Sequence, residues 1–109
     1  MIYHIIYKSD YDLALGRGFY CPPSIEQEGF IHFSTEDQVD RTAKRFYADQ
    51  ADLLLLCVEE SKINGEIVYE PSHGEEFPHL YGNLNLDAID EVITLSWSNG
   101  ELIRGQKTS

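Results

Sequence analysis

Six consecutive apolar residues, Leu53 to Val58, constrain this chain more than any other feature. The run is of strand length, and without polar alternation it fits a central strand covered on both faces better than a helix. The rest of the chain must therefore supply two apolar layers around the segment Asp52 to Glu59. A chain of 109 residues is long enough for one such core, so residues 1–105 read as a single globular domain with a disordered tail at 106–109.

The flanking segments can build those layers. Ile2 to Tyr7, rich in β-branched and aromatic residues, reads as a strand stopped by Lys8-Ser9-Asp10. A short helix from about Asp10 to Leu15 follows, ended by Gly16 or Gly18. Phe19 to Glu28, with Pro22 and Pro23, predicts an irregular segment with one helical turn near Ser24. Gly29 to Phe33 reads as a strand that turns Phe30 and His32 to one face and Ile31 and Phe33 to the other. Ser34-Thr35 ahead of Asp37 and Gln38 has capping-box spacing, and Val39, Ala43, Phe46 and Tyr47 recur at helical intervals, which predicts the main helix from about Thr35 to Ala48. Phe46, Tyr47 and Tyr69 read as core.

After the central strand, Glu66 to Glu70 reads as a strand that Pro71 ends, the two forming a long hairpin. Pro71 to Asn83 holds two prolines, two glycines and two histidines, too little periodicity for a regular element, and reads as a functional loop. Leu84 to Ile89 suits one helical turn, and Glu91 to Trp97 and Glu101 to Arg104 flank the tight-turn pair Asn99-Gly100. The expected class is α+β: small mixed or antiparallel sheets, one main helix and one short N-terminal helix.

Charge narrows the partners. With 19 acidic against 8 basic side chains the formal charge is −11, and a field of that sign repels nucleic acid and anionic membranes. No apolar run approaches the ~20 residues that span a bilayer. MIYHIIYKSD lacks the parts of a secretory leader, so a cytoplasmic location is the expectation. Cys21 and Cys57 have no CxxC spacing; Cys57 reads as a buried hydrophobe, whereas Cys21 sits in a loop whose role stays open, as does any protein partner.

There is no P-loop, GxGxxG, HExxH or GxSxG, so chemistry must come from polar residues set within apolar strands. These are His4 in IYHII, His32 in GFIHFS, Glu70 in IVYEP, and His79 with Tyr81 in FPHLYG. Buried side chains of this kind must find partners. The histidines lack ligand-pair spacing, so no metal site is expected.

At IYHI, GFYCPPSIEQEGFIHFST, IVYEP and EEFPHLYGNLNLDAI the chain resembles the domain-of-unknown-function 952 family, from about Ile2 to Leu95. The resemblance implies a fold similar to the ADP-ribosyltransferases, in which a first-strand histidine holds the nicotinamide-side ribose, a second-strand tyrosine stacks on nicotinamide and a glutamate assists transfer. His4 matches the first role. The second-strand place is taken by His32 or Phe33, and Glu70 stands for the glutamate. No arginine lies beside His4, unlike the RNA 2′-phosphotransferase pattern.

Two readings follow. In the first, a cleft binds a small-molecule nucleotide such as NAD or ADP-ribose through His4, Tyr20, Ser24, Ser34, His79 and Tyr81. Glu70 and His32 are then the catalytic pair for ADP-ribosyl transfer or NAD glycohydrolysis, with NAD as substrate and no tightly bound cofactor. In the second, the chain is a non-catalytic binding or interaction domain that keeps the fold alone.

Overall fold

The computed structural model describes residues 1–108. Strand β1 (Ile2–Tyr7) leads into α1 (Lys8–Arg17), which ends where Gly18 adopts φ 88° and its N–H bonds the Ala14 carbonyl. The short β2 (Phe19–Tyr20), α2 (Ser24–Glu28) and β3 (Ile31–His32) come next. A 3-10 turn over Glu36–Gln38, closed by a reciprocal capping box between Thr35 and Gln38, then starts α3 (Val39–Phe46). Five more strands follow: β4 (Leu53–Val58), β5 (Glu66–Ser72), β6 (Glu75–Tyr81), β7 (Leu84–Asn85) and β8 (Ile89–Ser98). β9 (Glu101–Thr108) closes the chain.

The result is α+β and antiparallel throughout its strand pairs. One sheet has the order β1-β4-β8-β9, a second β3-β6-β5, and β2 pairs β7. β4 is central, as its composition demands. Its alternation turns Leu54, Leu56 and Val58 into one core with Ile2, Ile31, Phe33 and Leu80, and Leu53, Leu55 and Cys57 into another with Ile5, Val39 and Ala43. The first core joins the two sheets; the second seats α3. Burial pushes the Cys57 thiol up to about 11, which keeps it a protonated hydrophobe.

Four expectations are corrected. β4 and β5 do not form a hairpin: a 3-10 turn over Glu60–Lys62 carries the chain into the other sheet, where β5 pairs β6. The loop expected over Pro71–Asn83 is mostly strand. Pro71 lies on the edge strand β5. Pro78 sits inside β6, but its carbonyl faces Phe33 at 2.9 Å, so its missing N–H falls on the side where β3 has already ended. The tail expected to be disordered from residue 106 instead extends β9 through Thr108, with Lys107 opposite Ile93 and paired with Glu91 at 3.0 Å. Ser109 lies outside the described residues. Finally, Phe46 and Tyr69 are exposed at 55% and 42%, and only Tyr47 of that trio packs on a core. Among the described residues no helix is long and apolar enough to cross a membrane.

Coverage of β4 on both faces makes its leucines expensive to truncate. Leu55→Ala should lower unfolding free energy by about 2–5 kcal/mol in urea titration, against roughly 0.5 kcal/mol or less for Leu13→Ala on exposed α1. Equal losses would contradict the two-sided core.

Candidate functional site

Among the described residues the two sheets meet through a single bridge. Tyr3 and Ser34 exchange backbone hydrogen bonds of 2.8 and 2.7 Å, after which β1 and β3 part. Continued antiparallel pairing would set Ile5 against His32, with the Ile5 N–H on the His32 carbonyl. The imidazole of His4 takes that acceptor instead: Nδ1 lies 2.7 Å from the carbonyl oxygen. A carbonyl only accepts, so Nδ1 carries the proton, and Nε2 of the neutral ring accepts from the Tyr20 hydroxyl at 3.1 Å. Packing between Tyr20 and Phe33, at centroid distances of 5.3 and 5.4 Å, holds the ring in place.

The gap so opened is a cavity of about 700 Å³. Its floor is β1 from Tyr3 to Tyr7. One wall comes from Asp10, Tyr20, Pro22, Pro23, Ser24 and Glu28, another from Thr42, Phe46 and Tyr47 of the α3 region. The third is made by Phe30, His32, Ser34, His79 and the β5–β6 turn at Ser72 and His73. That turn is fastened to the start of α3: Gln38 donates to the Glu76 carbonyl at 2.8 Å, and Arg41 pairs with Glu75.

Behind the histidine wall runs a polar chain. His32 Nδ1 is 3.3 Å from His79 Nε2, and His79 Nδ1 is 2.9 Å from Glu70 Oε1, which also accepts from the Tyr81 hydroxyl. The register explains it: β3 sets His32 opposite His79, while Glu70, opposite Phe77, is a diagonal neighbour of His79 on the same sheet face. Phe30 stacks on His79 at 3.9 Å and 11°. Hydrogen bonds from Tyr81 and then His79 hold the Glu70 carboxyl below its usual range. Burial lowers both His4 and His32 to about 4, with the neighbouring His79 adding to the effect on His32. Burial also raises the Tyr20 phenol, keeping it a donor.

Six of the eight residues singled out from sequence thus line one cavity: His4, Tyr20, Ser24, His32, Ser34 and His79. Two do not. Glu70, expected as the carboxylate facing the ligand, stands on the far side of His79, its carboxylate drawn off by Tyr81 and the His79 ring. Tyr81 is 38% exposed outside the cavity beside Phe30. His4 is in place, but both its ring nitrogens are already engaged by the protein. Ser34 is likewise taken, at 3.1 Å from Thr42. Sequence reading missed Phe30, Thr42, Asp10 and Glu28 as wall residues. Only Phe30 left a signal, by sharing a strand face with His32. Among the described residues no three His, Cys, Asp or Glu side chains are grouped to hold a metal ion.

Residues 5–92 match the family model described as "Protein of unknown function (DUF952)". The chain belongs to that family. The crystal structure of protein CC0527 from Caulobacter crescentus is similar to it with a TM-score of 0.86 at 30% identity, over 94% of this chain and 92% of that one. The solution structure of CC0527 gives 0.80 at 30% identity, over 93% and 89%. No curated protein matches the chain. The DUF952 match begins within β1 and ends within β8, so it takes in the β3-β6-β5 sheet and the three cavity walls, while Tyr3 and His4 of the floor and all of β9 lie outside it.

The buried imidazoles give stability a defined pH dependence. His4 and His32 sit at about 4 in the fold against 6.5 for a free side chain, so the unfolded chain binds their protons first. Their contribution is complete above about pH 6.5 and is lost progressively as the pH falls toward 4. Thermal melts should therefore drop across that window, and His32→Gln should flatten the fall. A flat melting profile between those values would show that the rings charge freely in the fold.

Proposed function

We propose that the cavity binds a nucleoside-containing small molecule, with NAD and ADP-ribose as its test compounds. The observation that carries this reading is the convergence of His4, Tyr20, Ser24, His32, Ser34 and His79 on one concavity. Its volume lies within the few hundred to ~1,000 Å³ usual for ligand sites. Aromatic walls suit a base and hydroxyl-bearing walls suit a ribose.

Charge refines the reading. No lysine or arginine is among the lining residues, whereas Asp10 and Glu28 are, which suits a neutral or cationic ring such as nicotinamide. A second concavity of about 420 Å³ shares Asp10, Tyr20, Pro22 and Pro23 with the first and contains Arg17. Phosphates of a nucleotide spanning the two would lie toward that guanidinium. Arg17 stands there beside Asp10 and Glu26, so nucleoside in the histidine lobe with phosphate directed at the guanidinium itself is the orientation proposed.

The position of Glu70 favours binding over catalysis. ADP-ribosyl transfer or NAD glycohydrolysis calls for a carboxylate beside the ribose, and Glu70 is screened from the cavity by His79. This supports the reading of a non-catalytic domain, built on a fold that resembles the ADP-ribosyltransferases, that retains a ligand.

Calorimetric titration of the intact chain with NAD and ADP-ribose tests the proposal. Binding is expected, and Ser24→Ala should weaken it by about two- to tenfold, the worth of one hydrogen bond of roughly 0.5–1.5 kcal/mol, without lowering the melting temperature. No heat and no thermal shift at millimolar ligand would end the nucleotide reading.

A further inference from the structure

His32 is the one cavity residue with an orphaned polar atom. Its Nε2 is shielded from water and has no hydrogen-bond partner among the described residues. The chain behind it decides what that atom is. Glu70 is held ionised by Tyr81 and His79, and a carboxylate only accepts, so His79 Nδ1 donates to it. With a neutral His79 ring, Nε2 is then the acceptor, and the hydrogen bond across 3.3 Å must be donated by His32 Nδ1. Neutral His32 has no second proton. Its Nε2 is left as a bare lone pair.

We propose that Glu70, acting through His79, locks His32 in the Nδ1–H tautomer so that its Nε2 is the acceptor subsite for a hydroxyl donor on the ligand. A buried acceptor without a partner is costly, and a ligand donor that reaches it recovers that cost. The ring already lines the cavity, so a ligand seated against that wall meets this imidazole with its Nδ1 still held by His79. Glu70 is thus a positioning residue, which accounts for its place outside the cavity. The ligand class narrows to molecules with a free hydroxyl at this wall, such as a ribose diol. A ligand that offers only an acceptor there would meet lone pair against lone pair and be rejected. The ligand half of this inference rests on the proposed nucleotide binding; the tautomer half does not.

Histidine-ring nitrogen NMR on the uniformly ¹⁵N-labelled chain separates the two. In free protein above pH 7, His32 Nε2 should resonate as an unprotonated, pyridine-type nitrogen and Nδ1 as a protonated, pyrrole-type one. Glu70→Leu, which removes the acceptor, should bring in the opposite His32 tautomer while a thermal melt confirms folding. A proton on His32 Nε2 in the wild type, the state expected if His79 were the imidazolium, would overturn the inference, as would an unchanged tautomer in a folded Glu70→Leu protein. Added ADP-ribose should shift the His32 Nε2 resonance and leave it unprotonated. Binding without any change at Nε2 would refute the subsite. Absence of binding would remove the nucleotide reading and the ligand half with it, while the free-protein spectra still decide the tautomer.

Discussion

The hydrogen bond from His4 to the His32 carbonyl governs the architecture of this protein. Two sheets that share one core could have fused into a single continuous sheet, because Tyr3 and Ser34 already make the first rung between β1 and β3. A side chain occupies the next acceptor, and the strands diverge. The cavity is therefore a consequence of a donor substitution: an imidazole N–H stands where a backbone N–H belonged, at a length of 2.7 Å that leaves the carbonyl satisfied. Tyr20 completes the arrangement by occupying the other nitrogen, which ties the β2 segment to the point of divergence.

This explains why parts of the fold were legible in sequence and others were not. Local rules carried the elements that depend on neighbours in the chain. Thr35 and Gln38 formed their capping box, Gly18 ended α1, and Asn99 and Gly100 took positive φ values of 52° and 78° in the β8–β9 turn. The unbroken leucine run became the central strand. Partner choice was not local. Nothing between residues 60 and 65 says that the chain should leave β4 and pair β5 with β6 in another sheet. Pro71 and Pro78 argued against strands because the rule assumes an N–H is needed, and here an edge and the end of β3 removed that need.

The site divides in the same way. Polar residues inside apolar strands drew attention to His4, His32, Glu70 and His79, and all four form one connected hydrogen-bonded system. Their roles depend on direction. On β5 and β6 the alternation sets Glu70 and His79 on one sheet face, but only the diagonal offset between strands decides that the histidine reaches the cavity and the carboxylate stays behind it. A residue type in a linear pattern names chemistry; the register assigns first contact.

The parting of β1 and β3 also leaves a strand with an unused edge. β1 is terminal in its sheet, and beyond Tyr3 its outward backbone groups line the cavity instead of meeting another strand. Exposed edges of this kind invite pairing with foreign chains. Here the edge is walled in by α2, α3 and the β5–β6 turn, and Tyr47 reaches over it to the Ile5 carbonyl at 3.5 Å. The fold thus keeps an unpaired strand edge inside itself, facing a cavity instead of bulk solvent.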